Sequence, residues 1–327
     1  MLLRPSGVFL LLLLTTAGCE APDSAPPSNT VTDALDRTVQ IETPVQRVVS
    51  LAPNLTELVY AAGAGSTLVA ATSSADYPPA TDTLDHVSAL PIDFEAITAK
   101  NPDLVLATDQ INPPGDTETF EALDVPIYFF SFSSLDDVFE ALRTMGALLN
   151  TASTARARAQ AFESQLEALR TRTDSLARSE RPRVLVLIGD DTLYSFGEGS
   201  YVHELVAAAG GKSITASIET DAPTLSEEYV LTEKPDVIVG AWGPDYDPNR
   251  LLDLHPSWDI VPALQNNRVY SLPPELLLRP GPRLVQGARQ LATHLHPDRF
   301  EARAVPTDGT ASPLPLLPPV AQPSADQ

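Results

Sequence analysis

The chain has 327 residues, 43% of them hydrophobic, with 43 acidic against 21 basic side chains and a formal net charge of −22 at neutral pH. Only three of the basic residues are lysines, Lys100, Lys212 and Lys234; so acidic a surface repels polyanions and argues against nucleic acid as a partner. A single cysteine, Cys19, rules out an intramolecular disulfide.

The N-terminus sets the compartment. Arg4 precedes an apolar run from Val8 to Leu14, and Thr16, Ala17 and Gly18 lead into Cys19. Residues 1–18 read as a bacterial export signal whose apolar core is too short to span a bilayer. A lone cysteine after small residues resembles the lipobox of bacterial lipoproteins, although Thr16 stands where that motif usually has Leu. The resemblance implies acylation of Cys19 and a membrane anchored, not spanned; the alternative is an ordinary signal peptide with an incidental cysteine. Residues 19–30, rich in Pro, Ser and Ala, read as an extended tether. Residues 298–327 are again rich in Pro, Ala and Ser and are expected to be a disordered tail.

Between these ends strands and helices alternate. Val48–Ala52 is an apolar run suited to a strand buried on both faces. Asn54 with Glu57 three residues on has capping-box spacing for a helix that Gly63 ends. Strands follow at Leu68–Thr72, Asp103–Thr108 and Pro126–Phe130, with helices at Phe94–Lys100 (capped by Asp93) and Thr119–Leu123. Ser134 and Asp137 cap a helix reaching Leu149. Apolar residues at Ala155, Ala159, Phe162, Leu166, Leu169 and Leu176 then predict one helix across 151–181, of about 28 residues and about 40 Å. Past it come the strands Arg183–Ile188, Asp236–Ala241 and Arg268–Leu272. The helices among them are Tyr201–Ala209 (capped by Ser200), Ser226–Glu233, Ile260–Gln265 and Pro282–His294.

Two segments echo each other. KNPDLVLA from Lys100 is answered by KPDVIVG from Lys234, and RVVSLAP from Arg47 by RVLVLIG from Arg183. Near-equal offsets imply one α/β lobe built twice. The expected architecture is therefore two α/β lobes with mostly parallel sheets, 31–150 and 181–297, joined by a long strut helix at 151–180. A cleft between lobes is where a small ligand sits.

The stretch DALDRTVQIETPVQRVVSLAPNLTELVYAAGAGSTLVAATSSADYPP, followed by PDLVLA, SFGEGSYVHELVAAAGG and SWDIVPALQNNRVYSLP, resembles the helical-backbone, cluster A periplasmic binding proteins. The likeness runs from Val31 to Pro297. It implies a substrate-binding protein of an ABC importer, a monomer that delivers a metal chelate to a permease and its ATPase, with no cofactor and no catalysis. TELVYAAGAG and SSADYPPA look most like the corrinoid-binding branch, which points to cobalamin; ferric siderophore, haem, or a sensor lipoprotein without a transporter are the alternatives. Leu90 or Pro91, and about Leu276, stand where that branch has tryptophans.

Cleft candidates are Tyr77 in the DYPP loop, Trp242 after a strand end, Arg279 in RPGPR, and His86. Arg283 is expected to bond within its own lobe, and Trp258 to be structural. Asp85 and Glu198 are the acids that the resemblance places near permease-docking positions. No three or four ligands converge in the pattern that a zinc or manganese receptor needs. No GxSxG, GxxxxGK or GxGxxG occurs where an enzyme would need it, which leaves catalysis the weakest reading.

Overall fold

The computed structural model describes residues 28–300. The export signal, Cys19, most of the tether and the tail from 301 lie outside the described residues.

The strands are β1 (Ser28–Thr32), β2 (Thr38–Glu42), β3 (Val48–Ser50), β4 (Leu68–Thr72), β5 (Asp85–Val87), β6 (Leu104–Thr108), β7 (Ile127–Phe130), β8 (Arg183–Leu187), β9 (Lys212–Ser213), β10 (Val237–Gly240) and β11 (Val269–Ser271). The helices are α1 (Pro53–Ala61), α2 (Phe94–Thr98), α3 (Thr117–Ala122), α4 (Leu135–Leu148), α5 (Ala152–Asp174), α6 (Tyr201–Ala208), α7 (Glu227–Glu233), α8 (Arg250–Leu254), α9 (Pro262–Gln265), α10 (Leu284–Leu295) and α11 (Pro297–Phe300). They build two lobes, each around a parallel sheet: β5-β4-β3-β6-β7 in the first and β11-β10-β8-β9 in the second.

Alternation along the strands divides the core. Val48, Leu68, Leu104, Leu106, Tyr128 and Phe130 on one face of the first sheet join Val184, Val186, Val237 and Val239 of the second in a single apolar cluster. Buried side chains of α1, α4, α5, α6 and α10 fill the space between them. Each sheet's other face has its own separate cluster. Both faces of the central strands are thus covered, which is why they read as continuous apolar runs.

The sequence echo is a structural device. Asp103 accepts from the backbone N–H of Gln46 (2.7 Å) and Arg47 (2.9 Å) at the entry to β3, while its own N–H donates to the Arg47 carbonyl. Asp236 does the same at β8, accepting from Arg183 N–H at 2.8 Å. In each lobe the arginine also reaches the end of the helix that leads into the aspartate: Arg47 Nε donates to the Lys100 carbonyl and Arg183 Nε to the Glu233 carbonyl.

Three expectations change. The strut α5 has 23 residues, about 35 Å at 1.5 Å per residue. It stops at Asp174 because the Thr173 carbonyl is taken by Leu176 N–H and the Arg181 guanidinium; Leu176 is buried beyond the helix, which preserved the spacing. The body also starts earlier, at Ser28, with the antiparallel hairpin β1–β2. The turn of that hairpin covers the free edge of β7: Ala34 N–H donates to Phe129 O, and the Asp33 carboxylate accepts from Phe129 N–H. At the other end α11 carries the body to Phe300, over which the Arg172 guanidinium lies at 4.0 Å from the ring centre.

Candidate ligand-binding site

The carboxyl ends of both parallel sheets carry the residues that meet between the lobes. The chain leaves β3 straight into α1, whose cap residue Ala52 offers no side chain to the helix. Asn54 and Glu57 are therefore not a capping box. Both are buried inside the helix and turned toward the second lobe. The Asn54 amide donates to the Pro280 carbonyl at 3.3 Å. Glu57, with 2% of its side chain exposed, accepts two bonds from Arg283, at 2.9 Å from Nε and 2.7 Å from Nη2. Arg283 thus makes its side-chain hydrogen bonds across the junction, with Glu275 of its own lobe a more distant ion-pair partner at 3.7 Å. The expected partner was the helix or backbone of its own lobe; a buried carboxylate in a bidentate fork is the stronger one.

The loop after β4 presents Asp76 and Tyr77. Arg279 reaches from the second lobe to the Asp76 carboxylate through both Nη atoms, to the Ser74 carbonyl at 3.3 Å, and to within 3.6 Å of Glu57. Tyr77 is half-buried, and the Arg283 guanidinium lies over its ring at 4.4 Å. Tyr77 and Arg279 are brought to one place. Burial pushes the Glu57 carboxyl up, against the pull of Arg283 and Arg279. The bond to Arg279 holds Asp76 below its ordinary range. The Arg283 guanidinium is opposed by burial but, through Glu57, is favoured on balance.

Other candidates lie apart from that cluster. Trp242 packs over Gly240, where an added Cβ would stand 2.1 Å from the indole, and against Tyr246 at 4.0 Å between ring centres. Its indole N–H is buried without an acceptor among the described residues. His86 is exposed on the edge strand β5, next to Asp85. Asp85 is itself exposed and paired with Lys100 at 2.6 Å. Glu198 is exposed in the loop before α6, where its N–H donates to the Ile218 carbonyl and Gly199 adopts φ +79°. His203 steadies this loop by bonding the Gly197 carbonyl at 2.6 Å. Trp258 is fully buried and stacks on His255. Leu276 is buried too and forms no wall.

Two residues not singled out from the sequence, Ile111 and Tyr194, join Leu90 at the strand ends. Leu90, Ile111 and Tyr194 remain 70%, 38% and 47% exposed on loops that leave the ends of β5, β6 and β8. Asn112 ties two of these loops together, donating to the Ala89 carbonyl while accepting from Thr108 N–H. Apolar side chains left in water at strand ends are surface that an apolar ligand can cover. The signal for Ile111 and Tyr194 was present as bulky apolar residues in loops, but it became informative only once the strand ends were placed. No three histidine, cysteine or carboxylate side chains among the described residues converge to hold a metal ion.

The profile of the periplasmic binding protein family matches residues 48–276. The chain belongs to that family. As a periplasmic binding protein it is 30% identical over 253 residues to a vitamin B12-binding protein of Vibrio parahaemolyticus, covering 77% of this chain and 90% of the relative. It is 25% identical over 315 residues to an ABC transporter substrate-binding lipoprotein of Bacillus subtilis, covering 91% and 99%. Among solved structures, the periplasmic vitamin B12-binding protein of Vibrio cholerae superposes with a TM-score of 0.68 at 29% identity, covering 77% of this chain and 97% of that one. The periplasmic haem-binding protein of Roseiflexus sp. gives 0.68 at 27%, covering 78% and 99%. The two-lobed architecture built on a long helix is the one these proteins share, and the periplasmic binding proteins of ABC transporters to which it belongs recognise small molecules.

Proposed function

We propose that this protein is the lipid-anchored receptor of an ABC importer, acylated at Cys19, which captures a corrinoid such as cobalamin between its lobes and hands it to a permease. The observation that carries the ligand class is the likeness to vitamin B12-binding proteins, which runs through nearly the whole folded body in sequence and in structure. Tyr77, Leu90, Ile111 and Tyr194 supply apolar surface at the strand ends, and Arg279 supplies a cation whose partner Asp76 is exposed. No bond is made or broken; the chemistry is recognition. Asp85 and Glu198, one exposed acid on each lobe, are the contacts proposed for cations of the permease.

A second reading, haem or ferric siderophore, is favoured for haem by the haem-binding relative and for the siderophore by the exposed aliphatic Leu90, which stacks less well on a flat macrocycle than an aromatic ring does. The deciding experiment incubates the purified protein with cyanocobalamin, haem and a ferric hydroxamate, desalts it, and reads the visible spectrum. Retention of cyanocobalamin is expected; retention of haem or the hydroxamate in its place moves the assignment to the second reading.

A further inference from the structure

We propose that Glu57 is the positioning residue of the interlobe site: its carboxylate gathers both arginines of the opposite lobe and so fixes how far the lobes stand apart at Tyr77. This builds on the reading that ligand is held at this edge, but the spacing it concerns exists without ligand.

The two lobes are joined in two different ways. Behind the cleft they share one apolar core, and Glu204 of the second lobe accepts from Leu135 N–H at the start of α4 in the first. At the cleft floor the joint is polar. Between the two lies an apolar gap of about 10 Å³ lined by Leu135, Leu166, Leu205, Gly281 and Val285, room for one water at most. Apolar packing is incomplete there, so the separation of the lobes at that level is set by the ion pair. A bidentate guanidinium–carboxylate pair has fixed length and plane, unlike a single flexible contact.

All the charged partners of Glu57 come from across the junction: Arg283 in two bonds and Arg279 at 3.6 Å. Arg283 in turn has the Tyr77 ring on its face and Glu275 of its own lobe at 3.7 Å. Neutralising Glu57 leaves Arg283 with Glu275 and Asp76, neither of which hydrogen-bonds it, in a place where an unpaired charge is costly; the lobes part until water reaches it. Tyr77, stacked on Arg283, loses its backing. The two arginines divide the work. Arg283 holds the joint, and Arg279, whose Asp76 partner is exposed, is the one free to change partners.

The test uses the full chain with its only cysteine removed (Cys19→Ala) and spin labels on cysteines introduced at exposed Asp82 in the first lobe and Glu219 in the second. Electron–electron distance measurements are made without ligand, and cyanocobalamin affinity is measured on the same proteins. Glu57→Gln should shift and broaden the interlobe distance and weaken binding about tenfold, as expected when one member of a buried charge pair is neutralised. Arg283→Lys keeps the charge but loses the fork and the ring contact, and should give a smaller change in both. Tyr77→Ala should weaken binding while leaving the distance unchanged. An interlobe distance unaltered by both Glu57→Gln and Arg283→Lys overturns the proposal. If the parent protein binds no cyanocobalamin, the ligand assignment falls, and the distances still decide the role of Glu57.

Discussion

The two lobes pair their central strands by the same means and finish their edges differently. In both, a Pro-Asp aspartate accepts from the backbone at the start of the neighbouring strand, and an arginine at that start reaches the end of the helix that leads into the aspartate. Among the described residues only the first lobe has a hairpin, β1–β2, whose turn is bonded to its outer strand. The charges at the cleft are divided as well: carboxylates Glu57 and Asp76 come from the first lobe, arginines 279 and 283 from the second. The device that registers strands, which both halves need, is thus common to them. The faces that meet across the junction differ, because paired charges must complement each other rather than match.

The largest test of this contrast is the hairpin, which has no counterpart in the second lobe. The Asp33 side chain is fully enclosed and accepts from the N–H groups of Leu35, Arg37 and Phe129 and from the Arg37 guanidinium. Asp33→Ala should cost about 3–5 kcal/mol, as for other buried pairs that lose one member, read as a shift in the urea midpoint. A loss under 1 kcal/mol would mean that the hairpin is an accessory to the first sheet.

The clamp residues test the shared feature directly. Asp103→Ala removes two charge-assisted bonds and Asp236→Ala one, so losses of about 3 and about 2 kcal/mol are expected in chemical denaturation. If one substitution were neutral and the other severe, the echo in the sequence would not be an echo in energetics.

The smallest effect is graded with pH. His203, His294 and His296 all lie in the second lobe, and burial holds each imidazole below its ordinary 6.5, whereas His86 of the first lobe is exposed. The unfolded chain therefore takes up protons before the folded one does. The stabilisation from these three groups is complete above about pH 6.5 and is lost as pH falls through 6.5 toward their native values. Hydrogen exchange at pH 7.5 and 5.5 should show amides of the second lobe losing protection first; equal loss in both lobes would remove this distinction.

Features governed by neighbours in sequence were legible. The Ser134–Asp137 capping box, the Ser200 and Ser226 caps, and the Asp93 cap all hold their helices as their spacing implies. Asn54–Glu57 has the same spacing and a different fate, because partners more than two hundred residues away outbid the local backbone. The hairpin could have been found: Thr38–Glu42 alternates polar and apolar residues, and its buried positions are Val39 and Ile41. The edge strands β5 and β9, of three and two residues, are too short to leave a period. Tyr77 and Arg279 were identified as cleft residues from resemblance, yet their ion-pair setting follows from the lobes' mutual approach, which no local pattern encodes.

The apolar interior common to both halves bears on how the molecule could be cut. Severing the chain near Asn150 would strip Ala155, Phe162, Leu166 and Leu169 of their cover, leaving a greasy flank on one fragment and its empty seat on the other. Neither piece should stay in solution by itself, and the two should recombine when mixed, which makes this scaffold a natural candidate for a split reporter.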